Sequence, residues 1–129
     1  MKDLITVYIT NYNYGSFLKQ SIESVINQSY KNFNLIIIDD ASTDNSIEIL
    51  DKFKSFRGVT LILNKKRIGH VKSSNKAIKL AKGKYILRLD ADDYLKKDAL
   101  KKLVKLIKKN SRVKMVFPNF NWISSKGKV

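Results

Sequence analysis

The 129-residue sequence contains no cysteine, which excludes disulfide bonds and thiolate metal sites. The N-terminus lacks the long apolar core of a signal peptide, and no apolar run approaches the roughly 20 residues that span a bilayer. We therefore expect a cytoplasmic protein. Two nucleotide-binding signatures are also missing: G-x-G-x-x-G after the first strand, and G-x-x-x-x-G-K-S/T. These absences argue against a dinucleotide cofactor and against a P-loop NTPase.

Acidic residues are scarce, with 11 Asp and Glu against 26 Lys and Arg, so the formal net charge is +15. Such a charge favours polyanions, which could be nucleic acid, an anionic membrane surface or a phosphorylated substrate. The few acids are clustered. Six of the eleven lie in two short segments, namely Asp39, Asp40, Asp44, Asp90, Asp92 and Asp93. This clustering indicates that the acids have a specific role.

Apolar runs and helical periodicities alternate along the chain. Ser16 is a plausible N-cap for the first helix, and Asn45-Ser46-Ile47-Glu48 resembles a capping box for the second. Gly83 follows the third helix as a C-terminal signal. The predicted strands are 4–10, 33–38, 59–63, 85–89, 114–117 and a short 120–124, and the predicted helices are 17–27, one beginning near residue 46, 71–81 and 98–110.

This alternation predicts an α/β fold with a mainly parallel sheet and helices on both of its faces. Ligands of such sheets bind beyond the carboxyl ends of the strands, where the strand order reverses. Three polar segments, 11–13, 39–44 and 90–93, each begin directly after an apolar strand. They are therefore expected to line one edge of the sheet and to form a site there.

The Asp90-Ala91-Asp92 sequence places two carboxylates at a strand end. Closely spaced carboxylates raise each other's pKa values unless a cation lies among them, so the pattern favours Mg²⁺ or Mn²⁺ with a phosphate-bearing ligand. Asp39 or Asp40 could then bind a nucleoside whose phosphates are held at Asp90 and Asp92. The alternative is that these acids cap helices or pair with lysines.

Three segments together resemble the nucleotide-binding half of the family 2 glycosyltransferases with the GT-A fold. They are ITVYITNYNYGSFLKQSIESVINQSYKNFNLIIIDDASTDNS, the segment 64–75, and KGKYILRLDADD. The resemblance runs over nearly the whole chain. It implies a three-layer α/β/α fold and an inverting transferase that uses a nucleotide-activated sugar, most often a UDP-sugar, with magnesium or manganese. The implied acceptor is a saccharide or a lipid-linked acceptor in cell-surface polysaccharide synthesis.

The resemblance also implies nucleotide-binding residues in the first two loops. Thr10, Asn11, Tyr12 and Asn13 match the loop under the base, where Thr10 would contact it through main chain and Tyr12 through its ring. A packing role for Tyr12 is the alternative. Asp40 matches the acid that binds the pyrimidine, and Asp39 precedes it.

Further roles are implied later in the chain. Asp92 would be the direct metal ligand, with Asp90 near the ribose and the metal. Gly69, Lys72 and Asn75 fall in the segment beside the nucleotide. The family often has an arginine where this chain has Ser74, and Lys72 could substitute for it.

Catalytic domains of the family continue into a second half that holds the acceptor pocket and the general base. Residues 1–129 are therefore expected to be the nucleotide-sugar-binding domain, truncated before the acceptor-binding half. The general base is expected beyond Val129, and no residue of the chain is assigned to it. Asp93 is a weak candidate that we expect to be structural. A nucleotide-binding fragment without turnover is one alternative.

Other interpretations come from single features. The lysine-covered helix 98–110 could lie on an anionic membrane, at the inner face, or could be a solvated helix whose apolar stripe packs on the sheet. A basic nucleic-acid-binding domain and a phospho-acceptor receiver domain are the alternative classes. The first lacks a recognised motif, and the second would need its acid pair after the first strand. His70 is expected to be solvent-exposed or in a loop, and Trp122 to begin an acceptor site or fill core.

Overall fold

The computed structural model describes residues 3–124 and Lys126, and within them four strands alternate with four helices. This order confirms the alternation predicted over residues 4–110. Each apolar run is long enough to form a strand, and each amphipathic segment is long enough to form a helix. The elements are β1 (Ile5–Asn11), α1 (Gly15–Ile26), β2 (Phe33–Asp39), α2 (Ser46–Asp51), β3 (Val59–Leu63), α3 (His70–Leu80), β4 (Tyr85–Asp90) and α4 (Ala99–Lys108).

The four strands form one sheet in the order β3-β2-β1-β4, and every neighbouring pair is parallel. Helices cover both faces of the sheet, as predicted. Side chains at odd positions of β1, such as Val7 and Ile9, pack with buried residues of α1, α2 and α4. On the opposite face, Tyr8 of β1 and Ile36 and Ile38 of β2 pack against Ala77 of α3. The order reverses at β1, so the crevice lies at the carboxyl ends of β1 and β4.

Two of the helix caps predicted from sequence are wrong. Helix α1 begins at Gly15, one residue before Ser16, and neither α1 nor α2 has a side-chain hydrogen bond from its own N-cap residue. A single carboxylate serves both helices instead: Asp44 Oδ2 accepts the Gly15 N–H at 2.8 Å, and Asp44 Oδ1 accepts the Ser46 N–H at 3.0 Å. The cap of α1 thus comes from a residue 29 positions away, and the cap of α2 from a residue two positions before Ser46.

Gly83 has a different role from the helix-ending signal predicted for it. Helix α3 ends at Leu80, and its C-cap Ala81 is extended. A Cβ on Gly83 would lie 2.4 Å from the backbone nitrogen of Thr6. The Gly83 N–H also donates to Thr6 Oγ1 at 2.9 Å. The glycine is required because the chain crosses close to β1 before entering β4.

The predicted strands 114–117 and 120–124 are wrong for the residues that the structure describes. Residues 113–124 are assigned to neither strand nor helix. The large side chains of Met115, Phe117, Phe120 and Trp122 face solvent, with Phe117 79% and Trp122 85% exposed, so Trp122 does not fill core. A run with strand propensity forms a strand only when it pairs with another, and no described strand pairs with this segment.

Helix α4 packs through its apolar stripe, since Leu100 and Val104 are buried in the main core. Its lysines at 101, 102, 105 and 108, and the following Lys109, are exposed. This arrangement agrees with the solvated-helix interpretation of segment 98–110. Among the described residues, no helix combines the length and the apolar character needed to cross a membrane.

Candidate functional site

The carboxyl ends of β1, β2 and β4 meet around a cleft of about 640 Å³. The predicted convergence of the three polar segments is therefore observed. The lining residues are Thr10, Asn11, Tyr12, Asn13, Tyr14, Asp40, Arg67, His70, Ser73, Arg88, Asp90, Ala91 and Asp92.

Asp39 lies beneath the cleft and is only 1% exposed. Its Oδ1 accepts hydrogen bonds from Asn11 Nδ2 at 2.7 Å and from Ser42 Oγ at 2.6 Å, while its Oδ2 accepts the Ser42 N–H at 2.9 Å. These contacts connect the end of β1 to the loop after β2. Asp39 is positioned to hold the Asn11 amide, and it does not line the cleft itself.

Asn13 joins the same two loops from above. Its φ of 59° lies in the left-handed region, which asparagine tolerates better than most residues. In that conformation Asn13 Oδ1 accepts the Thr43 N–H at 2.7 Å, and the Asn13 N–H donates to Ser42 Oγ at 3.0 Å. Ala41 is also left-handed, with φ 61°. The two loops therefore form one hydrogen-bonded unit.

Asp40 faces the other way and organises the 64–69 loop. Its Oδ1 accepts the Ile68 N–H at 2.9 Å and Asn64 Nδ2 at 2.9 Å, and its Oδ2 accepts the Gly69 N–H at 2.8 Å. Gly69 reaches this position with φ 90°. Burial by itself would raise the pKa of Asp40, but hydrogen bonds from Ile68, Asn64, Gly69 and Ser73 together lower that pKa below its ordinary value. The carboxylate is therefore held ionised.

The 64–69 loop brings two side chains into the cleft that sequence reasoning missed. Arg67 stacks over the Tyr12 ring, with its Cζ 4.0 Å from the ring centroid. His70 Nδ1 lies 3.1 Å from Thr10 Oγ1. His70 is exposed, as predicted, but it is the first residue of α3 and lies at the cleft. Only the basic character of the 64–69 loop hinted at these contacts.

The two carboxylates of the Asp90-Ala91-Asp92 motif line the opposite end of the cleft. Arg88 Nη2 lies 2.7 Å from Asp90 Oδ1, and Arg88 Nε donates to the same oxygen at 2.8 Å. Asp92 is exposed. The motif therefore presents one carboxylate already paired with an arginine and one that faces solvent.

The general base remains unassigned among the described residues. Its predicted position is beyond Val129, and Val129 itself lies outside the residues that the structure describes, so that position stays a prediction. Asp93, the weak candidate, lies outside the cleft lining and donates its N–H to the Asp90 carbonyl at 3.1 Å. Partial desolvation, then the negative charges of Asp92 and Asp90, raise the pKa of Asp93. Its position favours the structural role expected for it.

The donor set at Asp90 and Asp92 fits a hard divalent cation that retains other ligands. Mg²⁺ commonly takes one or two protein carboxylates together with water and phosphate oxygens. Within residues 3–124 and 126, no group of three or more His, Cys, Asp or Glu side chains could enclose a metal. The protein would therefore supply only part of the coordination shell, and a phosphate-bearing ligand would supply the rest.

Four of the predicted nucleotide-binding residues do not line the cleft, namely Asp39, Gly69, Lys72 and Asn75. Asp39 lies beneath it, and Gly69 donates its N–H to Asp40. Lys72 and Asn75 are exposed on α3 and do not contribute to the lining, whereas His70 and Ser73 do. At 3.6 residues per turn, Lys72 and Asn75 point to the other side of the helix from His70 and Ser73. Lys72 is thus poorly placed to substitute for a phosphate-binding arginine. The arginines at the cleft are Arg67 and Arg88.

The four-stranded parallel sheet, with a cleft of carboxylates and arginines at the strand ends, defines an α/β protein whose cleft lies where the strand order reverses. The profile of the "Glycosyl transferase family 2" matches residues 6–128. The chain belongs to this family.

Individual relatives agree with that assignment. The chain is 32% identical to "Glycosyltransferase GlyG" of Streptococcus pneumoniae over 128 residues, which are 98% of this chain and 42% of the relative. It is 40% identical over 92 residues to the "UDP-Glc:alpha-D-GlcNAc-diphosphoundecaprenol beta-1,3-glucosyltransferase WfaP" of Escherichia coli, covering 71% of this chain and 36% of WfaP. The chain thus spans less than half the length of these relatives.

Solved structures share the fold. Staphylococcus aureus TarS, residues 1–349, in complex with UDP-GlcNAc superposes with a TM-score of 0.75 and 28% identity, covering 84% of this chain and 32% of that one. A mannosyltransferase of Pyrobaculum calidifontis in complex with GDP-Man and Mn²⁺ gives a TM-score of 0.76 at 23% identity, covering 83% of this chain and 33% of that one. The predicted three-layer GT-A fold is confirmed.

Proposed function

We propose that residues 1–129 form the nucleotide-sugar-binding domain of an inverting, metal-dependent glycosyltransferase. The donor is a nucleotide-activated sugar, with a UDP-sugar as the first candidate. The acceptor is a saccharide or a lipid-linked acceptor in cell-surface polysaccharide synthesis. The similarity to WfaP, whose name gives UDP-Glc as donor and a diphosphoundecaprenol-linked acceptor, and to TarS, solved with UDP-GlcNAc, supports this choice of donor and acceptor class.

The observation that carries the proposal is the spacing of the two acidic centres across one cleft. Asp40 follows β2 and Asp90 ends β4, and β1 lies between these two strands. Two strand spacings of about 4.8 Å place the centres roughly 10 Å apart. That separation suits a ligand with a nucleoside at one end and a diphosphate at the other.

Each end of the cleft has matching chemistry. Tyr12 and Arg67 form a stacked pair beside Asp40, and both aromatic rings and guanidinium planes stack on nucleobases. A carboxylate such as Asp40 can accept a hydrogen bond from a base N–H. Asp92, with Asp90, would hold Mg²⁺ or Mn²⁺. When bound, such an ion neutralises charge on a departing diphosphate.

The acceptor hydroxyl needs a general base, and we place that base beyond Val129, in an acceptor-binding half. Asp93 keeps a structural role in this proposal, because it lies outside the cleft lining and its N–H closes the turn after β4. A lipid-linked acceptor would bring the chain to a membrane surface. The exposed lysines of α4 would then face the anionic lipid headgroups.

Thermal unfolding with UDP, with and without MnCl₂, tests the donor site. A ligand at about 100 times its dissociation constant adds roughly 2.7 kcal/mol to the stability of a protein that binds it only when folded. We expect UDP to stabilise the wild type strongly only when Mn²⁺ is present. Asp92→Ala should abolish the part of the shift that depends on Mn²⁺.

Asp51→Ala is the matched control. Asp51 is the last residue of α2, its exposed carboxylate pairs with Lys54, and it does not line the cleft. It should respond to UDP and Mn²⁺ as the wild type does. Absence of any shift in the wild type with UDP or another nucleoside diphosphate would contradict the proposed function. A wild-type shift that Asp92→Ala leaves intact would contradict the metal assignment alone.

A further inference from the structure

Arg88 is a cleft residue that neither the sequence nor the comparisons assign to a role. It lies two positions before Asp90 on β4, and alternation along a strand puts the two side chains on the same face of the sheet. Both of its contacts, from Nε and from Nη2, end on one oxygen, Asp90 Oδ1. A guanidinium carries five N–H donors, so most of them are left for another ligand.

The Arg88–Asp90 pair is exposed enough to exchange partners. The two side chains are 47% and 46% exposed, and both line the cleft. Ion pairs exposed to this degree contribute only about 0–1 kcal/mol to stability. The arginine is therefore not locked in place, and a stronger anion at the cleft can draw it away.

A divalent cation and the Arg88 guanidinium compete for the same carboxylate. A cation bound to Asp90 would lie close to the Arg88 guanidinium, which is 2.7 Å from Asp90 Oδ1. The two positive charges would repel each other. A diphosphate arriving with the cation offers oxygens that a guanidinium binds in a charge-assisted, often bidentate manner. One rotation of the side chain would satisfy both groups.

We propose that Arg88 is a diphosphate-binding residue that exchanges Asp90 for the nucleotide diphosphate when a divalent cation takes the Asp90 carboxylate. This inference rests on the proposed function, because it concerns the same cleft. It gives Arg88 two opposite effects. Arg88 weakens the binding of a bare divalent cation and strengthens the binding of a nucleoside diphosphate, so metal and donor bind cooperatively.

Isothermal titration of the full chain with UDP, uridine and MnCl₂ separates these effects. In Arg88→Met, affinity for UDP at saturating Mn²⁺ should fall about tenfold or more, which corresponds to the loss of one charged hydrogen bond. Affinity for uridine should stay within about twofold. Affinity for Mn²⁺ alone should rise a few-fold, since Asp90 loses its competing partner.

Arg57→Met is the matched control, because Arg57 is an exposed arginine in the turn before β3. It should leave all three affinities unchanged. Arg88→Lys should retain part of the UDP affinity, since lysine keeps the charge and loses the fork geometry. Circular dichroism of each variant confirms that it is folded.

Three results would overturn the inference while leaving the proposed function intact: unchanged UDP affinity in Arg88→Met, equal losses for UDP and uridine, or no gain in Mn²⁺ affinity. Equal losses would indicate that Arg88 only supports the shape of the cleft. Failure of the wild type to bind UDP with Mn²⁺ would overturn the inference and the proposed function together.

Discussion

The Asp40 carboxylate is expected to be the main support of the 64–69 loop, and Asp40→Ala tests this. Asp40 is 4% exposed and accepts the N–H groups of Ile68 and Gly69 and the amide of Asn64. Its removal leaves buried donors without an acceptor, at a cost of about 1–3 kcal/mol for each such group. Because part of the loop can relax into water, we expect a total loss of about 2–4 kcal/mol in the free energy of unfolding.

Urea unfolding measures this loss, and amide hydrogen exchange locates it. The Ile68 and Gly69 amides should be protected in the wild type and should exchange fast in Asp40→Ala, ahead of the core of β1 and β2. Asp51→Ala, which removes an exposed carboxylate, should lose no more than about 0.5 kcal/mol. A loss in Asp40→Ala as small as that of Asp51→Ala, with the two amides still protected, would refute the reasoning.

The Asp40 contribution to stability should also depend on pH, and a second variant, Asp40→Asn, tests this because its side chain cannot ionise. The hydrogen bonds lower the pKa of Asp40 in the folded state, so its contribution is fully present above the ordinary Asp value of about 3.9. That contribution is lost as the pH falls from there through the lowered folded-state pKa. The stability of Asp40→Asn should therefore fall less than that of the wild type below about pH 4.

Two further predictions concern the loops under the cleft. Asp44→Ala should lower the free energy of unfolding in urea by about 1–2 kcal/mol, because Asp44 accepts the first N–H groups of both α1 and α2. Glu48→Ala should lower it by less than about 0.5 kcal/mol. A larger loss in Glu48→Ala than in Asp44→Ala would favour the capping box predicted from the sequence. Ala41→Gly should increase the free energy of unfolding by about 0.5–1 kcal/mol and so raise the melting temperature, because it removes the strain of a left-handed alanine at φ 61°. A lower melting temperature would show that this conformation is not strained.

The sequence was sufficient to predict the strands of the sheet and the edge where the site forms. β1 and β2 are rich in β-branched residues, and β4 is a short, largely apolar run. All three end abruptly in polar residues, so both their type and their carboxyl ends could be recognised. The strand predictions failed where a strand can form only by pairing with a neighbouring strand. Residues 114–117 are a short, mainly apolar run, as β3 is, but β3 pairs with β2 and the later segment pairs with no described strand.

The caps and the cationic side of the cleft could not be predicted, because both depend on contacts between distant residues. Asp44 caps α1 from 29 positions further along the chain. Arg67 stacks over Tyr12 from a loop whose next residue, Ile68, donates its N–H to Asp40. The loop contains three consecutive cationic residues, Lys65, Lys66 and Arg67. Nothing in their local sequence indicates which of them contacts the cleft, so Arg67 could not be identified in advance.

The roles of the paired acids follow from the alternation of side chains along an extended chain. Asp39 and Asp40 are adjacent, so their side chains leave the backbone on opposite sides. Asp39 enters the buried junction with Asn11, and Asp40 enters the cleft. Asp90 and Arg88 are two positions apart and share a side, which places a cation on the carboxylate of the motif. The same alternation therefore assigns one acid of the first pair to structure and the other to the cleft, and it supplies the second motif with its own counter-ion.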